Sequence, residues 1–265
     1  MQKLPVFLGI GAQRAGTTWL HNCLKEHPQL CLPEKKEVHF FDLQFDKGLD
    51  WYQQQFSHAQ PHQLIGEITP NYYHEDNALE RIKETLPDVK LIYVLREPVS
   101  RSYSQYQLYK QEIYVDKSFK QVLDEDETIY EYSRQGKHLE RVYSMFNRDN
   151  VLVLFYDEIN SNPENVLFKV CQFLGVATEF SPSFLNRRVN AVVLPQFQAA
   201  LAKFKLTWLI DLVKKSPLAE PLKTYLNRKP KGELTRELQN RLKQEFLSDI
   251  EKVERLAEID LSHWK

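Results

Sequence analysis

Apolar positions along this chain fall into short continuous runs that alternate with helically spaced sets. PVFLGIG is the first run and ends at Gly11; Trp19, Leu20, Cys23 and Leu24 then recur at helical spacing until Pro28 stops the pattern. VKLIYVLRE, residues 89–97, and VLVLFYDE, residues 151–158, are apolar on both faces, as strands buried inside a parallel sheet are. Helical patterning follows each: SRSYSQYQLYKQEI after the first and NVLFKVCQFLGV after the second. Strand and helix in alternation predict an α/β fold, with a central parallel sheet flanked by helices and joined by crossover connections. Residues 33–75 break this regularity with Pro33, Pro61, Pro70 and many aromatics, and are expected to wall a substrate pocket. Toward the C-terminus Leu238, Leu242, Phe246, Ile250, Val253 and Ala257 form an apolar stripe after Thr235, a residue suited to cap a helix. No repeat or linker divides the 265 residues, so a single domain over 1–265 is expected.

Composition narrows the partners. Thirty-five basic residues face 36 acidic ones, a net charge of −1. Nothing global draws in nucleic acid or an anionic membrane, so any anion site must be a local gathering of Arg and Lys. Cys23, Cys31 and Cys171 are an odd count at unpaired spacing, which argues against a disulfide framework and a zinc site; no metal is expected, and Cys23 and Cys171 read as packing residues. MQKLPVFLGIGAQ has one Lys and too short an apolar run for a signal peptide, and no run reaches membrane-spanning length. A cytoplasmic protein without a transmembrane segment is the expectation.

The candidate chemistry begins with GAQRAGTT, residues 11–18. Gly11, Gly16 and Thr18 keep the spacing of a phosphate-binding loop, but Thr17 stands where that loop carries Lys, and the nearest cation is Arg14. Gly16, Thr17 and Thr18 open a helix, whose free N–H groups and positive dipole end hold anions. A plain strand-to-helix turn has the same spacing. The second constellation is LREPVSRSYSQY: Arg96 at the carboxyl end of a strand, Ser104 eight residues on in a helix opened by Pro98. Arg96 offers a bidentate fork and Ser104 a hydroxyl, at the end of a sheet where α/β folds bind ligands.

Taken together and in this order, the two stretches resemble the sulfotransferases that use 3′-phosphoadenosine 5′-phosphosulfate (PAPS). KKEVHFFD (35–42), GLDWYQQQF (48–56), GEITPNYY (66–73) and the closing DLSHWK resemble the glycosaminoglycan-type branch, the heparan sulfate enzymes, and its bacterial relatives. The resemblance covers nearly the whole chain and is strongest over residues 7–110. It implies the P-loop-like sulfotransferase fold, PAPS as sulfuryl donor and adenosine 3′,5′-bisphosphate as product. It implies that Arg14, Ala15, Gly16, Thr17 and Thr18 bind the 5′-phosphosulfate and that Arg96 and Ser104 bind the 3′-phosphate. More loosely, it implies that Arg228 and Lys229, in the basic loop YLNRKPKGE, close over that phosphate, and that Trp19 contacts adenine. The family usually has Lys where this chain has Arg14; arginine keeps the charge but not a transferable proton, so Arg14 is expected to stabilise charge.

For the base, the resemblance implies Glu37, with its pKa expected to be raised by partial burial, and His39 as the second choice. Two residues apart in an extended segment, both would point the same way. Glu67 is expected either to orient the acceptor or to serve as a structural hydrogen-bonding group. Ile68, where the branch often has Lys, points to a more neutral acceptor. The expected reaction is sulfuryl transfer to a hydroxyl, with an amine as second choice, on a small-molecule, lipid or glycan acceptor. A P-loop kinase acting on a small molecule, and a nucleotide binder without chemistry, stay open as rivals; oligomeric state is open as well.

Overall fold

The computed structural model describes residues 4–110, 112–186 and 234–265. Five strands, β1 (Phe7–Gly11), β2 (Leu30–Cys31), β3 (Leu64–Ile68), β4 (Lys90–Leu95) and β5 (Val151–Phe155), form one sheet in the order β2-β3-β1-β4-β5. Every pairing is parallel: Phe7 lies opposite Gly66 on one side and Lys90 on the other, and Leu91 opposite Val151. Parallel strands need crossovers, and helices supply them. Among the described residues, α1 (Thr17–Lys25), α2 (Phe40–Leu43), α3 (Gly48–Gln54), α4 (Asp76–Thr85), α5 (Pro98–Tyr109), α6 (Phe119–Glu125), α7 (Thr128–Ser133) and α8 (Gln135–Met145) lie between strands, and α9 (Tyr156–Ser161), α10 (Pro163–Leu174) and α11 (Arg236–Ala257) follow β5.

The three strands anticipated from continuous apolar runs are β1, β4 and β5, and their runs are shorter than the patterns suggested. β4 stops at Leu95 because Glu97 turns to cap α5, its carboxylate accepting Val99 N–H at 2.9 Å and Ser100 N–H at 2.7 Å, with Pro98 at the first helical position. β5 gives way to α9 at Tyr156. Residues 33–75 are more regular than their sequence suggests: they contain β3, an inner strand between β2 and β1. Its Glu67 disguises it, since a charged residue is not expected in an inner strand unless it is paired.

Cys23, Cys31 and Cys171 are buried and none forms a disulfide. Along α11, Leu238, Leu242, Phe246, Ile250 and Val253 are buried as the stripe predicts, each contributing about 1.5–3 kcal/mol by leaving water. Asp249, on the same face, is buried too. β1 is central, so the carboxyl ends of β3, β1 and β4 open side by side at one rim, where open α/β sheets take ligands.

Candidate active site

The loop between β1 and α1 is stitched to the sheet by Ala12 N–H, which donates to Val94 C=O at 2.8 Å. Arg14 takes φ 72° and Gly16 φ 95°. At Gly16 the requirement is both conformational and steric: a Cβ would lie 3.1 Å from the Tyr156 ring and 3.2 Å from Ile159 Cδ1. Gly16 places no side-chain cap on α1, and the first turn holds no acidic residue. The N–H groups and positive dipole end of α1 therefore face outward without an internal counter-charge. Thr17 is buried and Thr18 exposed at this end.

Three side chains singled out from sequence meet here. Arg14 Nε donates to Ser104 Oγ at 3.0 Å, across 90 residues of chain. Arg96 Nη1 donates to Arg14 C=O at 2.7 Å, and its guanidinium lies 4.4 Å from the centre of the Tyr156 ring. Burial, then the facing charge of Arg96, lowers the pKa of Arg14; burial first likewise lowers that of Arg96, against the opposing influence of Tyr156 and Glu97. Both stay charged at neutral pH. Among the described residues neither guanidinium has an ion-pair partner. Two cations side by side at an uncapped helix end make a ready site for an anion.

The segment before α2 holds the second half of the site. Glu37 accepts from Lys36 Nζ at 2.9 Å and lies 3.1 Å from His39 Nε2; His39 Nδ1 lies 2.8 Å from Asp42 Oδ2. Glu37 and His39 thus meet directly. With a carboxylate on each ring nitrogen, both nitrogens donate and the ring is an imidazolium. The hydrogen bonds to Asp42 and Glu37, over the opposing effect of burial, raise its pKa to about 10. Held at both nitrogens, His39 favours its charged form, which weighs against it as the base. The raised pKa expected for Glu37 is overturned. Burial does push that carboxyl up, but the hydrogen bond from His39 and the charge and hydrogen bond of Lys36 outweigh it, and the net shift is downward. Sequence reasoning passed over Asp42; the signal available was its position three residues after His39, on one helical face.

Both halves border α1. Burial, then Lys36 and Lys25, pushes the pKa of His21 on α1 down to about 4, with Glu37 opposing. Lys25 Nζ donates to Glu34 C=O at 3.3 Å. The segment with Glu37 and His39 accordingly lies beside the helix whose N-terminus carries the cation pair.

Glu67 faces inward. It is fully buried, accepting from Tyr52 Oη at 2.6 Å, Tyr72 Oη at 2.9 Å and Thr69 Oγ1 at 2.8 Å. Burial raises its pKa and the three hydroxyl donors offset part of that. The same hydroxyls reach the segment before α2: Tyr72 Oη accepts Phe40 N–H at 2.9 Å, and Thr69 Oγ1 accepts His39 N–H at 3.4 Å. Glu67 thus fixes the start of α2. Ile68 packs against Gly9 and is buried, so it walls no acceptor pocket. Trp19 is buried, its indole N–H donating to Leu185 C=O at 3.0 Å, which makes it part of the core. Ala15 is buried in the loop. Arg228 and Lys229 lie outside the described residues.

Residues 5–199 match the family model for the sulfotransferase domain. Heparan sulfate glucosamine 3-O-sulfotransferase 3B1 of Homo sapiens is 32% identical over 184 residues, 66% of this chain and 47% of that protein. Membrane-associated sulfotransferase kil1 of Dictyostelium discoideum is 42% identical over 106 residues, 39% of this chain and 22% of that protein. The chain thus spans less than half the length of these curated relatives. A solved sulfotransferase from Alicyclobacillus acidocaldarius superposes with a TM-score of 0.74 at 23% identity, covering 98% of both chains. Mouse sulfotransferase SULT7A1, solved in complex with PAP, superposes with a TM-score of 0.54 at 16% identity, covering 93% of this chain and 84% of that one. The two likenesses show a common fold.

Proposed function

The chain belongs to the sulfotransferase-domain family, and from that membership we propose that it transfers a sulfuryl group from PAPS to an acceptor hydroxyl by in-line attack. The observation that carries this reading is the meeting of Arg14, Arg96 and Ser104, through contacts of 3.0 and 2.7 Å, beside the uncapped N-terminus of α1. These residues fit a nucleotide with two separate phosphate groups: the donors are spread over a loop and a strand end, and the cations are free of carboxylates among the described residues.

When bound, PAPS supplies the activated sulfuryl group. The N–H groups and hydroxyls of Thr17 and Thr18 hold the 5′-phosphosulfate. Arg14 stabilises charge developing on the phosphosulfate, and as a guanidinium it is a charge donor rather than a proton donor. Arg96 and Ser104 bind the 3′-phosphate, with Arg228 and Lys229 as further contacts. Glu37 Oε takes the proton of the acceptor hydroxyl as it attacks. Its depressed pKa keeps it ionised through neutral pH at some cost in basicity. The Lys36 and His39 cations keep its carboxylate aimed.

A glycan, lipid or small molecule carries the acceptor hydroxyl, with an amine as the second choice. The three cysteines are buried and none forms a disulfide, which supports a reducing, cytoplasmic setting; among the described residues no helix is long and apolar enough to cross a membrane. The test is whether adenosine 3′,5′-bisphosphate raises the melting temperature, followed by turnover of labelled PAPS across an acceptor panel. Glu37→Gln is expected to abolish turnover and keep nucleotide binding. A wild-type protein that does not bind the bisphosphate at micromolar concentration overturns the reading. One that binds it but turns over no acceptor favours a binder without chemistry.

A further inference from the structure

Arg96 is the first residue past β4, where pairing with β5 ends at Leu95 opposite Phe155. Its peptide would be loose there, but one side chain takes over the role of a neighbouring strand. Arg96 N–H donates to Gln135 Oε1 at 2.9 Å, and Gln135 Nε2 donates back to Arg96 C=O at 2.5 Å. Gln135 is fully buried, so both functions of its amide are spent on this one residue. Gln135 opens α8, and the next two N–H groups of that helix, from Gly136 and Lys137, donate to the Asp249 carboxylate of α11 at 2.8 and 2.9 Å. A negative charge at a helix N-terminus is favourable. The close approach depends on Gly136, where a Cβ would stand 2.4 Å from the Asp249 carbonyl oxygen. A parallel brace joins the same junction to α5: Arg101 Nη1 donates to Ser133 Oγ at 2.7 Å, and Ser133 Oγ lies 2.7 Å from Ser102 Oγ.

We infer that Gln135 and Asp249 are positioning residues for recognition of the nucleotide's ribose phosphate. α11 sets the N-terminus of α8, α8 sets Gln135, and Gln135 sets the backbone from which the Arg96 guanidinium reaches the site. Neither residue touches the ligand; each acts through Arg96. The inference rests on the reading of Arg96 and Ser104 as the 3′-phosphate contact. It separates these two residues from ordinary core polar groups by one property: their loss changes discrimination between nucleotides, not only stability.

Calorimetric titration of the full chain with adenosine 3′,5′-bisphosphate and with adenosine 5′-monophosphate measures that property. The wild type is expected to prefer the bisphosphate; without a preference, the reading of the site itself fails. Given the preference, Gln135→Met, which keeps the side-chain volume and removes the amide, is expected to reduce it by about tenfold, the worth of one hydrogen bond to a charged group. Asp249→Asn, with nearly the same shape and one acceptor fewer, is expected to move the preference in the same direction, and decides the matter if Gln135→Met does not fold. A preference unchanged in the folded variants overturns the inference and leaves the reading of the site standing.

Discussion

Asp42→Asn removes one of the two carboxylates that hold the His39 imidazolium while keeping a carbonyl oxygen for its Nδ1–H to bond. The His39 pKa is raised from 6.5 to about 10, with the hydrogen bond to Asp42 as the largest cause and that to Glu37 second. Such a displacement corresponds to roughly 5 kcal/mol of preference for the charged ring. Asp42 supplies the greater part, since its side chain is 4% exposed against 23% for Glu37. The variant should therefore bring the His39 midpoint down by roughly two pH units. The sign for stability follows. A pKa raised on folding stabilises fully below the unfolded value of 6.5 and is lost as pH rises through about 10; in Asp42→Asn the contribution is smaller and its loss, still beginning near 6.5, is complete nearer neutrality. The assay is an NMR titration of the imidazole nitrogens, with His39→Gln to assign the resonance among the eight histidines, and chemical denaturation at several pH values beside it. A wild-type His39 that titrates near 6.5, or a midpoint unmoved in Asp42→Asn, would refute the account of a cation clamped between two carboxylates.

Two further outcomes bear on the same framework. Gly136→Ala forces a methyl to within 2.4 Å of the Asp249 backbone oxygen and is expected to destabilise the protein by about 1–3 kcal/mol in urea unfolding; a neutral result would mean that α8 and α11 can separate freely. Arg14→Lys keeps the charge but loses the Nε bond to Ser104. Under the proposed function its turnover should fall less than about tenfold, whereas Arg14→Ala should fall by about a hundredfold or more, as expected for loss of a charge-stabilising donor. Equal losses in the two variants would show that the Ser104 bond, not the charge, is what matters.

The parts of this fold that sequence made legible share one physical property: their reasons for being are local. β1 and β4 are buried on both faces and so carry unbroken apolar runs, the edge strand β5 carries one although Leu152 and Val153 are half-buried, and the α11 stripe repeats with the helix period. The cation pair was legible because a glycine turn, a strand end and a helix start each leave a mark within a few residues of Arg14, Arg96 and Ser104. β3 was hidden because Glu67 is neutralised from a distance, by hydroxyls on Tyr52 and Tyr72 that no spacing announces. The pKa of Glu37 was misjudged for a related reason. Burial and neighbouring cations push a carboxyl in opposite directions, and only geometry reveals that Lys36 and His39 both point at the same group. Gln135 and Asp249 are the extreme case. Their partners lie 39 and 113 residues away, and nothing about a glutamine or an aspartate on a helix announces a bond to a strand end or to another helix's first turn. Residues that touch a ligand leave motifs, because the ligand constrains their spacing. Residues that aim them are constrained only by the fold, so the polar groups that govern a site's precision are the ones a sequence conceals.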